Sequence, residues 1–261
     1  MAKRLLVAPI ALLFVLGLAG CASSGGSSVS IEEEWRVGQQ MADQVAQQVR
    51  FVNDPVASSY VRAVGERIHA QTPMANLPFT FHIVDDPDIN AFSVPGGHVY
   101  VNRGLVTTAN KADELASVLA HEISHNVARH VVKQFERQQQ ISAVGSILLG
   151  QEPGQLQALV AQIIAGGAMA RFSRADEKEA DELGLRFMTA AGYNPQGMVD
   201  MFRNLMAADK SQPGKVAQFF MSHPLTQDRI NDIQGRIGGM ASSSGLITDE
   251  PEFREVKNRL R

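Results

Sequence analysis

No pair of cysteines, no basic surplus and no apolar run of membrane-spanning length occurs in this 261-residue chain. Each absence excludes something. One cysteine, Cys21, cannot form a disulfide within the chain. A net charge of −3 lacks the basic stripe that marks a nucleic-acid partner. The longest apolar run, Leu5 to Leu18, is broken by Pro9 and Gly17. It falls short of the roughly 20 residues a spanning helix needs. There is no internal repeat. What remains is ordinary: 44% apolar and 20% charged residues, the proportions of a globular protein with room for one core and an accessory segment.

The first residues read as an export signal rather than as part of the fold. Lys3 and Arg4 precede the apolar run, and small residues lead to Leu18-Ala19-Gly20-Cys21. That ending resembles the bacterial lipobox, in which the cysteine becomes the lipidated first residue of the mature protein. The alternatives are a retained signal anchor and a free thiol. The lipoprotein reading makes 1–20 a signal peptide and Cys21 a membrane anchor, and it explains an exported chain without disulfides. By resemblance to lipoprotein sorting, Ala22 after the cysteine leans towards the periplasmic face of the outer membrane of a Gram-negative bacterium. Removing 1–20 takes away two cations and no acid, leaving a charge of −5.

Residues 21–30 are Ser/Gly-rich and read as a flexible tether. Helices follow over about Ile31–Arg50 and Asp54–Ala70, the second with Val56, Tyr60, Val64 and Ile68 on one face. Phe79 to Val84, Ile89 to Val94 and His98 to Val101 read as three strands, turned at Asp85–Asp88 and at Pro95-Gly96-Gly97. They are expected to form a small antiparallel sheet beside a long helix from Lys111 to Gln138, with Asn110 as its cap. Residues 139–170 suggest two short helices split at Glu152-Pro153-Gly154, either a mobile flap or plain core. Another helix covers about Ala175–Ala191, ended by Gly192. Residues 239–261 are Ser/Gly-rich, then charged, and are expected to be loosely held. The fold class is α+β, mostly helical, with its main domain over 31–238.

The chemistry concentrates in Leu119-Ala120-His121-Glu122-Ile123-Ser124-His125-Asn126. Two histidines four residues apart project from one helix face and can grip one ion. Zinc suits two imidazoles and a carboxylate with one position left open. Glu122 then takes a proton from the activated water. Leu115, Val118, Leu119 and Ile123 make the helix broadly apolar, which places it centrally and argues against two surface histidines. The long form of the motif needs glycine and histidine where Ala128 and Val131 stand. The third ligand is therefore sought on a later helix. Glu177 and Asp181 share a face there, one to bind and one to orient a ligand histidine. Glu179 lies roughly 200° round from Glu177 and is the alternative ligand. His130 is assigned to the surface, His82 and His98 to packing or the rim, and His69 to a helix end where a cation is welcome. Arg174 pairs locally or contacts substrate carbonyls.

The motif, together with Glu177-x-x-Ala180-Asp181, resembles peptidase family M48, nearest to its periplasmic lipoprotein and chaperone-protease members. Asn90-Ala91-Phe92-Ser93-Val94-Pro95-Gly96-Gly97-His98-Val99-Tyr100-Val101 and Ser222-His223-Pro224-Leu225 extend the likeness over about Val45–Ile233. The membrane helices of the integral members are absent from it. The resemblance implies a zincin-like core with one zinc per chain held by His121, His125 and Glu177. It makes Glu122 the base and then the acid, and Asp181 the orienting carboxylate. Asn90, Ala91, Phe92 and Ser93 would line a cleft that takes extended substrate by strand addition. His223 would stabilise the oxyanion or occupy the open zinc position; otherwise it is a loop histidine. The implied activity is endopeptidase action on misfolded or unassembled envelope proteins. The alternative is a chaperone or assembly factor for outer-membrane proteins in which cutting is secondary, working with the envelope assembly machinery.

Overall fold

A computed structural model describes residues 29–137, 160–161, 163–164, 171–240 and 244–261. The chain opens with α1 (Ile31–Gln48), started by a reciprocal cap between Ser30 and Glu33. Helix α2 (Pro55–His69) begins on Asp54, whose carboxylate accepts from the backbone N–H groups of Val56 and Ala57. Three strands follow: β1 (Thr80–Val84), β2 (Ala91–Val94) and β3 (His98–Asn102).

The strand order is β1-β3-β2. The β2–β3 hairpin is antiparallel, as read from sequence, and turns at Gly96 and Gly97, both with φ of 80°. β1, however, pairs parallel with β3, Thr80 opposite His98, so the sheet is mixed rather than antiparallel. The connection after β1 is the cause. Its Ile89 N–H donates to Lys215 O, and Gly104 N–H donates to Asp86 O. The chain is thereby carried away from β1 instead of folding back on it, and β3 takes the central place. This leaves β2 at an edge of the sheet.

Helices α3 (Arg103–Thr108) and α4 (Ala112–Val127) come next. Every residue of α4 from Ala112 to Asn126 is buried. It runs through the main core, touching α2, β2, β3 and two later helices. Asn110 does not cap it; Glu114 instead reaches back to the Asn110 N–H. Nor does the helix continue to Gln138. It stops at Ala128, Arg129 takes φ of 56°, and α5 (His130–Arg137) leaves in a new direction. A non-glycine residue rarely holds that conformation. Here the Arg129 guanidinium is fixed by buried Glu34 of α1 at 2.5 Å and by Val29 O at 2.6 Å.

The later helices are α6 (Arg174–Ala190), α7 (Gln196–Ser211), α8 (Pro213–Ser222), α9 (Gln227–Gly238) and α10 (Pro251–Leu260). Ser173 and Asp176 cap α6 reciprocally, and it lies along α4. The tail expected to be loose forms α10. Phe253, Val256 and Leu260, at helical spacing, are buried in the main core, and Lys257 Nζ donates to Ala109 O. The two helices expected within 139–170 lie almost wholly outside the described residues. Of the four residues described there, all helical, Val160 and Ile163 are buried, in a second apolar cluster with Val37, Met41, Val45, Phe92 and Val94.

Candidate metal centre and active-site cleft

Helical spacing places His121 and His125 one turn apart on α4, facing α6. Their Nε2 atoms are 3.0 Å apart. From α6, Glu177 sends Oε1 to 3.3 Å from His125 Nε2 and Oε2 to 3.6 Å from His121 Nε2. From the end of α8, His223 brings Nδ1 to 3.3 Å from His121 Nε2 and 3.1 Å from Glu177 Oε1. One donor atom from each of the four residues fits within 4.8 Å of all the others, and all four are buried.

The charges suit a cation. Glu122, Glu177 and Asp181 are buried carboxylates, and among the described residues Arg229, the guanidinium that meets Glu177 and Asp181, is the one fixed positive charge paired with them. Two negative charges are left in a place where uncompensated charge is costly. A divalent ion balances them, and two imidazoles with a carboxylate are a donor set that zinc accepts. The buried charges pull the pKa values of His121, His125 and Glu177 apart. Burial opposes charge on His121, but the Asp181 and Glu177 carboxylates outweigh it and push its pKa up to about 10. Burial drives His125 the other way, well below its usual range. Burial also opposes charge on Glu177, yet the surrounding histidines hold its carboxyl well below the ordinary range.

Glu122 is fully buried beside this cluster. Neither of its carboxylate oxygens has a hydrogen-bond partner, and Oε1 stands 3.4 Å from His223 Nε2. Asp181 Oδ1 lies 3.0 Å from His121 Nδ1, close although off the line of an aligned hydrogen bond. Strand β2 abuts α4 here, with Ser93 Oγ donating to Glu122 O at 3.4 Å. Phe92 and Ser93 line a small space with Glu122, Phe172, His223 and Ile163. Asn90 and Ala91 do not reach it: Asn90 turns to Gln218 of α8, and Ala91 packs in the main core. On the other side of Glu177 a cleft of about 610 Å³ opens between α6 and α9, with Arg171, Arg174, Lys178 and Arg229 in its wall.

Several side chains stand elsewhere than expected. His130 is not on the surface. The break at Arg129 swings it back under α4, fully buried, with Nδ1 2.9 Å from His125 Nδ1. Glu179, the alternative ligand, points away from the cluster and meets His130 Nε2 at 3.2 Å. His69 does end α2, but it is buried against Phe79, its Nε2 is 2.9 Å from Met74 O, and burial pulls its pKa down, against a cation there. His98 packs in the sheet with Nδ1 2.9 Å from Thr80 Oγ1, and burial takes its pKa down to about 4. Arg229 was not foreseen. From α9 it grips both oxygens of Asp181 at 2.7 Å and Glu177 Oε2 at 2.6 Å, leaving Glu177 Oε1 turned to the histidines. A single arginine early in a late helix carries no sequence signal of that role.

Comparison with known proteins agrees with this geometry. The model of peptidase family M48 matches residues 55–237. The beta-barrel assembly-enhancing protease of Yersinia pestis is 32% identical over 245 residues, covering 90% of this chain and 50% of that protein. The mitochondrial metalloendopeptidase OMA1 of Schizosaccharomyces pombe is 34% identical over 176 residues, 67% of this chain and 51% of its own length. Metalloprotease YcaL of Escherichia coli is 29% identical over 179 residues. The chain thus spans about half the length of the assembly-enhancing proteases it matches.

Proposed function

Since the chain belongs to peptidase family M48, we propose that it is a zinc-dependent endopeptidase acting on misfolded or unassembled cell-envelope proteins. The observation that carries this reading is the Glu122 carboxylate, buried and without a hydrogen-bond partner beside four convergent donors. In this reading His121, His125 and Glu177 hold one zinc. The bound ion supplies Lewis acidity, acidifying water and polarising the scissile carbonyl. Glu122 takes the proton of the attacking water and passes it to the leaving amine nitrogen as the C–N bond breaks. Asp181 orients His121. His223, seated among the donors, would occupy the open metal position while the enzyme is idle, or would stabilise the oxyanion during cutting.

Substrate lies in extended form along the edge of β2, where its main chain pairs and its side chains are read weakly. That suits a client defined by being unfolded. The relatives named for β-barrel assembly direct the proposal to outer-membrane proteins in transit. Cys21 as lipid anchor places the enzyme on the periplasmic face of the outer membrane. Among the described residues no helix is long and apolar enough to cross a membrane. The flap role expected for 139–170 falls almost wholly outside the described residues, of which Ile163 stands in the wall of the space beside Glu122. A deletion of 141–168 that leaves cleavage unchanged would reject that role.

Zinc content and casein cleavage of residues 22–261 test the whole, beside Glu122→Gln and His223→Ala. The reading expects about one zinc per chain and no cutting by Glu122→Gln; faster cutting by His223→Ala selects the idle-state role of His223, and slower cutting the oxyanion role. A well-folded protein without zinc overturns it. A seated His223 also favours a second reading, an assembly factor that seldom cuts. Rescue of a deletion strain by Glu122→Gln would select it.

A further inference from the structure

The two α4 histidines differ in what stands behind them. His121 has a carboxylate, Asp181, at its Nδ1. His125 has another imidazole: His130 Nδ1 lies 2.9 Å from His125 Nδ1. Both rings are buried, and Phe172 packs against both, stacked on His125 at 3.9 Å and tilted to His130 at 6.0 Å. Behind His130, Nε2 is 3.2 Å from Glu179 Oε2, and the Glu179 side chain is 51% exposed. Asp176 Oδ1 stands further off at 3.8 Å.

Two ring nitrogens at hydrogen-bond distance share one proton, and a neutral imidazole has one donor and one acceptor. His125 Nε2 faces His121 and Glu177, so a metal there needs that nitrogen bare. The His125 proton then sits on Nδ1. It can only be donated to His130 Nδ1, which must be bare in turn. His130 therefore carries its proton on Nε2 and donates it to Glu179. Ligation fixes the direction of every bond in the row.

We propose that His130 is a positioning residue: it orients His125 for the metal, fixes its tautomer, and links it through Glu179 to the protein surface. The inference rests on the metal reading above and extends it to a residue outside the HExxH pattern. A carboxylate at the end of the row pulls on both protons and makes His125 a stronger donor to the ion. Phe172 keeps the two rings at the angle this needs.

The test uses the purified full-length chain and Zn2+ alone. Zinc affinity is read by chelator competition, unfolding of the metal-free protein by urea, and histidine tautomers by NMR in the loaded protein. His130→Phe keeps a ring against Phe172 but removes the acceptor; it should bind zinc about 10–100-fold more weakly. His130→Asn returns an acceptor oxygen near the Nδ1 position and should recover most of that loss. Glu179→Ala, at the exposed end, threatens the fold least and should weaken binding in the same direction, by less than His130→Phe does. The loaded wild type should show His130 protonated on Nε2. Equal zinc affinity in His130→Phe and wild type, or a proton on His130 Nδ1, overturns the positioning role while leaving the metal reading intact. If metal-free His130→Phe is too unstable to compare, an unchanged affinity in Glu179→Ala overturns the row. Wild type that binds no zinc overturns both readings together.

Discussion

Arg229→Ala should destabilise the metal-free protein more than any loss of packing explains. Arg229 is 12% exposed and makes three charge-assisted bonds of 2.6–2.7 Å to Asp181 and Glu177. Removing it leaves two buried carboxylates without their cation. Breaking a buried pair in this way costs about 3–5 kcal/mol, because the partner left behind is uncompensated. For a domain of this size each kcal/mol moves the melting temperature by about 2–4 °C, so the expected drop is about 6–20 °C. Arg229→Met should fall as far, since it restores bulk over Phe202, whose ring lies 4.9 Å from the guanidinium carbon, but not charge. Arg229→Met combined with Asp181→Leu should recover part of the loss. Added Zn2+ should also recover part of it by neutralising Glu177. Urea unfolding with and without Zn2+ reads all of these. A change below about 1 kcal/mol in metal-free Arg229→Ala would refute the charge accounting on which the cation argument stands.

Burial raises Asp113 from 3.8 to about 7, and its Oδ1 has no hydrogen-bond partner. The folded state then holds that proton more tightly than the unfolded one, so stability falls as pH rises from about 4 to about 7. Asp113→Asn should be more stable than wild type at pH 8 by roughly 1–2 kcal/mol after solvent screening, and equal at pH 4; parallel urea curves at both pH values check it. Phe253→Ala should cost about 3–5 kcal/mol in urea unfolding, whereas a loose tail would show no change. Gly38→Ala would set a Cβ 2.1 Å from Pro95 O, prising α1 from the β2–β3 turn. A loss of about 1–3 kcal/mol is expected, and an unchanged melting temperature would contradict that contact.

The sequence made local features plain and hid those that depend on distant partners. The HExxH spacing, the apolar breadth of α4, the glycine turn before His98 and the acidic start of α6 are all written within a few residues. That Glu177 and Glu179 cannot both face one ion followed from helical angle, and the structure turns Glu177 to the histidines of α4 and Glu179 to His130. The parallel pairing of β1 depends on Lys215, far along the chain, drawing Ile89 aside. The stop after α4 depends on Glu34 holding Arg129 across 95 positions; a propensity scan over 111–138 meets no glycine or proline to end the helix. His130 was misplaced for that reason alone. The error over α10 has a different source. Its apolar residues 253, 256 and 260 do follow the helical period, but charged neighbours and a Ser/Gly-rich approach outweighed three positions.

Helix α4 is buried on every side over fifteen residues, and the two ligand histidines are inside that stretch. Amide protons in such a helix exchange only when the whole core opens. The hydrogen-exchange rate of the His121 and His125 backbones should therefore report global unfolding. Any substitution that loosens the core will register at the ligand helix, and any ion that grips the helix will slow exchange in the elements packed against it, α2 and α7 included.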